Sequence, residues 1–187
     1  LFTVASLFVN AQTSFTYPKT KKDAVTDDYF GTKITDPYRW LEDDNSIETK
    51  AWVEEQNKLT YSYLDKIPYR AKIKQRLTQI WNYQKASPPF KKGDRFFWYK
   101  NDGLQNQSVL YSQKDTCCGN GEVLLDPNTL SNDGTVSLAS ISISKNGQYL
   151  AYGISKAGSD WVEIHVKDIS TKQDLVDEIK WVKFSGM

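Results

Sequence analysis

Between Tyr17 and about Asn82 the apolar residues return at helical spacing, and beyond Pro88-Pro89 they return in short alternating or aromatic runs. The first region opens with an extended Tyr17-Pro18 and a turn at Phe30-Gly31. Asp36-Pro37 then predicts a short helix, with Asp36 as its cap and Pro37 in the first turn, where a missing N–H costs nothing. A second start at Asn45-Ser46 leads into Ile47, Ala51, Trp52, Leu59 and Tyr63, whose spacing predicts an amphipathic helix ending near Lys66. Pro68 starts another helix, with Ile73, Leu77, Ile80 and Trp81 as its apolar stripe.

In the second region, strand runs at Arg95–Tyr99, Val109–Ser112 and Val123–Leu125 are divided by the turn sequences Lys92-Gly93-Asp94, Asn101-Asp102-Gly103 and Gly119-Asn120-Gly121. Gln84–Pro88 completes this set if it supplies an inner strand. Ile141–Ser144, an Asn146-Gly147 turn, Gln148–Ser155, Trp161–Asp168 and Asp174–Asp177 make a second set of four, and a third set opens at Val182. The interval of about forty residues is that of a four-stranded propeller blade. A β-sandwich is the alternative, since the repeat rests on pattern rather than on residue identity.

Charge and composition narrow the function. Lys+Arg 24 against Asp+Glu 23, with the two signs interspersed, lacks the basic footprint of a nucleic-acid binder. A mean hydropathy of -0.59, with no apolar run near twenty residues, gives no transmembrane span and no membrane partner. Residues 1–11, LFTVASLFVNA, read as a truncated signal peptide cut after Ala11, which implies a periplasmic or secreted protein. Cys117 and Cys118 are adjacent, so a mutual disulfide would be strained; they read as free thiols at a Gly-rich loop tip.

Chemistry-bearing motifs are sparse. No phosphate loop, paired-cysteine zinc motif or Gly-x-Ser-x-Gly elbow occurs, so no catalytic, cofactor-binding or metal-binding residue is assigned. The sole histidine, His165, shares a strand face with Glu163 and Lys167 and reads as a polar-face residue without a triad partner. Glu42, Asp43 and Asp44 abut a helix start, where the dipole favours carboxylates. Gly158-Ser159-Asp160-Trp161 has two readings: a hairpin device, or a turn that presents a carboxylate and an aromatic to a ligand cavity. Phe184, in the strand that opens the third set, faces a channel or fills a core.

Asp36-Pro37-Tyr38-Arg39-Trp40-Leu41-Glu42-Asp43, Ala51-Trp52-Val53, the stretch from Asn101 to Tyr111, Gly158-Ser159-Asp160-Trp161 and Val182-Lys183-Phe184-Ser185-Gly186, taken in order and spacing, resemble the amino-terminal part of the prolyl oligopeptidase family. The resemblance implies a mixed fold. A truncated signal peptide at 1–11 and an N-terminal helical segment of an α/β-hydrolase domain at 12–82 precede the first blades of a seven-bladed β-propeller, with blades one and two and the start of blade three at 83–187. It further implies a fragment of a serine endopeptidase that cleaves short peptides after proline without a cofactor. The catalytic Ser, Asp and His would lie in a hydrolase domain beyond Met187. Of site residues, it carries over Phe184 as an apolar substrate contact and Asp160 as a polar residue at the domain interface. The rival readings are a relative that cleaves after basic residues and a non-catalytic propeller module that binds peptides or glycans.

Overall fold

The structure, a computed structural model, describes residues 15–115 and 119–187. The proposed signal peptide and the Cys117-Cys118 pair lie outside these residues. The chain divides into two units, Leu1–Ile73 and Lys74–Met187.

In the first unit, Phe30 (φ 56°) and Gly31 (φ 91°) are both left-handed, which turns β1 (Thr26–Tyr29) back onto β2 (Thr32–Thr35). Asp36 accepts from the Tyr38 N–H at 3.1 Å and starts a single 3-10 turn at Arg39–Glu42. Arg39 holds that turn to the hairpin, pairing with Asp36 at 2.7 Å and with Asp27. Ser46 caps α1 (Ile47–Leu64) by accepting from the Thr49 N–H at 3.1 Å. Thr49 is the one buried residue among those described in this unit, so polar contacts rather than an apolar core hold it together. These include Trp52 Nε1 to Thr20 Oγ1 at 3.0 Å and Trp40 Nε1 to the Lys21 carbonyl at 3.2 Å. α2 (Arg70–Trp81) begins in this unit and ends in the second, and its stripe of Ile73, Leu77, Ile80 and Trp81 is solvent-exposed.

The second unit is sheet. β3 (Lys85–Ala86) and β4 (Phe90–Lys92) both lie along β5 (Arg95–Asn101), on which β6 (Val109–Lys114) and then β7 (Glu122–Leu125) follow. β3 and β4 are one strand in two pieces, because Pro88 and Pro89 have no N–H to give the ladder. Ser87 bridges the gap: its N–H donates to the Tyr99 carbonyl at 3.0 Å and its hydroxyl accepts from the Tyr99 N–H at 2.9 Å. The second sheet is an antiparallel meander of β8 (Val136–Ile143), β9 (Tyr149–Lys156), β10 (Val162–Asp168) and β11 (Asp174–Val182).

Phe97, Leu110 and Leu125 of the first sheet share one core with Ile143, Leu150 and Tyr152 of the second and with Ile169 just beyond β10. A register shift between Leu138 and Ser140 lets Val136 and Leu138 face the same side as Ile141 and Ile143; strict alternation would have turned one pair away. Two hairpin turns meet backbone to backbone across the sheets. A Cβ on Gly93 would lie 2.3 Å from the Asn146 carbonyl oxygen, and one on Gly147 would lie 2.6 Å from that of Lys92.

The Gln107 side chain stands in for a strand beside β8. Its Nε2 donates to the Val136 carbonyl at 2.8 Å and its Oε1 accepts from the Leu138 N–H at 2.8 Å. Asn128 fixes the Gln107 backbone from the other side, at 3.0 Å and 2.9 Å. Gln107→Leu is expected to cost about 1–3 kcal/mol, because the β8 donor and acceptor lose their partners. Denaturant unfolding checks this; a change below about 0.5 kcal/mol, the level of an ordinary surface substitution, would show that water replaces the amide without cost.

The structure overturns two expectations. No helical edge of an α/β-hydrolase domain forms at 12–82. Among the described residues there are two α-helices against eleven strands, all paired antiparallel, so the chain is mostly sheet. Ahead of the two helices, Thr26–Thr35 forms a hairpin about the Phe30-Gly31 turn and adds strand to the front of the chain. Val182 does not open a third set either: it ends β11, paired with Val162, and Lys183–Met187 carries no strand. Among the described residues no helix is long and apolar enough to cross a membrane.

Candidate functional site

The connection from β9 to β10 is built on a turn in which Ala157 (φ 51°) and Gly158 (φ 74°) are both left-handed and the Ser159 N–H reaches the Lys156 carbonyl at 3.0 Å. Ser159 then sets the exit. Its carbonyl accepts from Ser155 Oγ at 2.5 Å, and its hydroxyl accepts from the Trp161 N–H at 3.1 Å. Asp160 and Trp161 are thereby delivered to one end of the second sheet.

The end of β11 arrives beside them. Val162 pairs with Val182 and Ile164 with Ile179, so β11 spends one more residue than β10 over this interval. The surplus is taken up near Trp181, which is left-handed at φ 60° and packs edge-on against Trp161 with ring centroids 5.5 Å apart. A bulky residue in that region carries a conformational cost of about 1–3 kcal/mol. Phe184 (φ 50°) follows, 86% exposed.

Lys183 joins the parts. Its Nζ lies 3.4 Å from Asp160 Oδ2, 5.2 Å from the centre of the Trp161 ring and 5.1 Å from that of Phe184. Asp160 and Phe184, picked separately from the sequence, are thus brought to the same lysine. Each contact is weak, since exposed ion pairs and cation–π contacts contribute about 1 kcal/mol or less. Beside the cluster is an open hollow of about 170 Å³, whose lining includes Ile154, Trp161, Glu163 and Trp181. Lys156 Nζ pairs with Glu163 at 2.6 Å, and this hydrogen bond is the main cause holding the Glu163 carboxyl below its ordinary pKa.

These side chains offer aromatic surface and two paired cations, which suits contact with a peptide side chain and not bond cleavage. His165 lies on β10 with Nε2 3.9 Å from Glu178 Oε1 and no hydrogen-bond partner among the described residues, so it forms no dyad with a hydroxyl. Glu42, Asp43 and Asp44 keep to local roles: Glu42 faces Arg39 at 3.5 Å, and the other two accept from Asn45. Lys183 and Trp181 were missed in the sequence. Their signal was the charged and aromatic content of the Trp-Val-Lys-Phe-Ser segment, legible only once β11 is known to end beside Trp161.

Comparison with known proteins bears on the whole of this arrangement. The family model described as "Prolyl oligopeptidase, N-terminal beta-propeller domain" matches residues 17–187. That match starts well before β3, so it too assigns the front of the chain to the propeller description and not to a hydrolase segment. The chain is 51% identical to a prolyl endopeptidase of Elizabethkingia miricola over 186 residues, covering 100% of this chain and 26% of that protein. It is 54% identical to a prolyl endopeptidase of Elizabethkingia meningoseptica, covering 96% and 25%. Prolyl oligopeptidase B of Galerina marginata, solved with a 35mer hydrolysis and macrocyclization substrate, superimposes with a TM-score of 0.69 at 33% identity, covering 91% of this chain and 27% of that one. The chain therefore spans about a quarter of the length of the relatives it matches.

Proposed function

Because this chain belongs to the prolyl oligopeptidase family, we propose that it is the N-terminal propeller part of an exported serine endopeptidase that cleaves short peptides on the carboxyl side of proline. The observation that carries the reading is the identity of more than half of its residues with two prolyl endopeptidases over nearly its whole length. The nucleophilic serine, its histidine base and the orienting aspartate belong to the part of the protein outside this chain, and act through an acyl-enzyme intermediate. Leu1–Ala11 serves as the export signal and directs the protein to the periplasm or beyond the cell. Within the chain, Phe184 supplies an apolar contact for substrate residues that precede proline. Its exposure supports this, because no side chain of the described residues buries it. Asp160 holds Lys183 beside that ring and makes the polar contact at the domain interface.

The test is hydrolysis by the full-length protein of chromogenic peptides that place proline, or lysine and arginine, before the reporter group. Cleavage after proline alone is the expected result, with no activity from the 187-residue chain by itself. Cleavage after the basic residues would overturn the specificity, and a full-length protein inert on both would overturn the peptidase reading.

A further inference from the structure

Three potential metal ligands meet on one face of the second sheet, at a place the proposed peptidase chemistry does not use. Glu163 and His165 are two residues apart on β10 and so point the same way, and Glu178 of β11 stands directly opposite His165 in the register. One ligand atom from each of the three lies within 4.8 Å of the other two. The Nε2 atom of His165 is cut off from solvent and has no hydrogen-bond partner among the described residues, a costly state for an imidazole nitrogen. The Tyr152 ring, its neighbour on β9, stacks on the imidazole with centroids 5.5 Å apart and fixes its plane.

We infer that Glu163, His165 and Glu178 form a divalent-cation site that clips the terminal strand β11 to β10, with zinc as the best-suited ion. One imidazole and two carboxylates are a borderline-hard donor set, and three protein ligands plus a water complete a tetrahedral zinc sphere. Ligand distances of about 2.0–2.2 Å draw the three atoms together by on the order of 1 Å, a movement within reach of two glutamate side chains. The carboxylates have present partners, Lys156 at 2.6 Å from Glu163 and Lys180 at 3.1 Å from Glu178. Both lysines are more than half exposed, and ion pairs of that kind are displaced at little cost. The three residues share a face with Leu150, Tyr152 and Ile154, the face that packs on the first sheet, but stand towards its outer strands. The opposite face, with Val162, Ile164 and Val166, is therefore free for other contacts without enclosing the ion.

No amino-acid spacing announces this site, because Glu178 joins the pair on β10 only through strand pairing. It stands independently of the peptidase reading, since the readout is binding. Calorimetric titration of the full chain with zinc chloride, alongside cobalt(II) absorption in the visible range, should show one ion bound with micromolar affinity and no thiolate charge-transfer band. His165→Ala and Glu178→Gln should each weaken binding at least about tenfold, and the double variant Cys117→Ser/Cys118→Ser should leave it unchanged. Glu178→Gln keeps size and polarity on a solvent-facing strand, so its result holds even if His165→Ala disturbs folding. Absence of binding at millimolar zinc, binding indifferent to both site variants, or binding lost with the two cysteines would each overturn the proposal.

Discussion

Phe97→Ala should lower the stability of the full-length protein by about 3–5 kcal/mol, while Phe184→Ala should leave its thermal midpoint nearly unchanged and alter only its action on substrate. The first ring is fully enclosed, at 0% exposure in the core shared by the two sheets, and its removal leaves a cavity that both would have to close over. The second meets the Lys183 ammonium across its face and is otherwise 86% exposed. On the proposed function, Phe184→Ala should reduce kcat/KM about tenfold, or roughly 1.4 kcal/mol of transition-state binding, for peptides with an apolar residue two positions before proline. Minimal proline substrates should lose much less. A marked fall in melting temperature, or an equal loss on long and minimal substrates, would deny Phe184 a role in substrate contact.

Gly93→Val and Gly147→Ala should each destabilise by roughly 2–5 kcal/mol, combining the cost of a left-handed side chain with that of overpacking. Both glycines are at positive φ (59° and 72°), and the atoms that a Cβ would strike are backbone carbonyls of the facing turn, which have no rotamer by which to retreat. Because the two turns press on one another, the double variant should cost less than the sum of the singles: once one turn has been pushed away, the second Cβ has room. Denaturant titration of the four proteins in the cycle measures this. Strict additivity would mean that the turns do not touch in solution.

How much of this was legible in the sequence depended on whether a residue's own chemistry, or only its partner's, decided its state. α1 and α2 were legible because Ser46 and Pro68 mark their starts by local chemistry. The β1–β2 hairpin was not, since Thr26-Asp27-Asp28-Tyr29 has no apolar alternation and its pairing depends on two left-handed turn residues. β8 begins at Val136, five residues before the apolar alternation at Ile141, because the bulge at Ala139 breaks the period of two. β11 runs on to Val182 through exposed residues that carry no burial signal, which is why Phe184 was expected inside a strand and lies after one. At the candidate site, Asp160 and Phe184 were legible as motif residues, whereas Lys183 acquires its meaning only from the register that sets it between them.

Two consecutive prolines in the terminal strand of the first sheet also govern how the chain behaves among copies of itself. A terminal strand offers a row of free N–H and C=O groups on which another chain can build, and concentrated solutions of β proteins aggregate along such rows. Pro88 and Pro89 have no N–H, and they split the strand into pieces of two and three residues that carry Lys85, Lys91 and Lys92. On the second sheet, β11 carries Asp174, Asp177, Glu178 and Lys180, whose charges an incoming strand would have to strip of water. At these two edges a neighbour finds no unbroken, uncharged template, so intermolecular strand addition is disfavoured there.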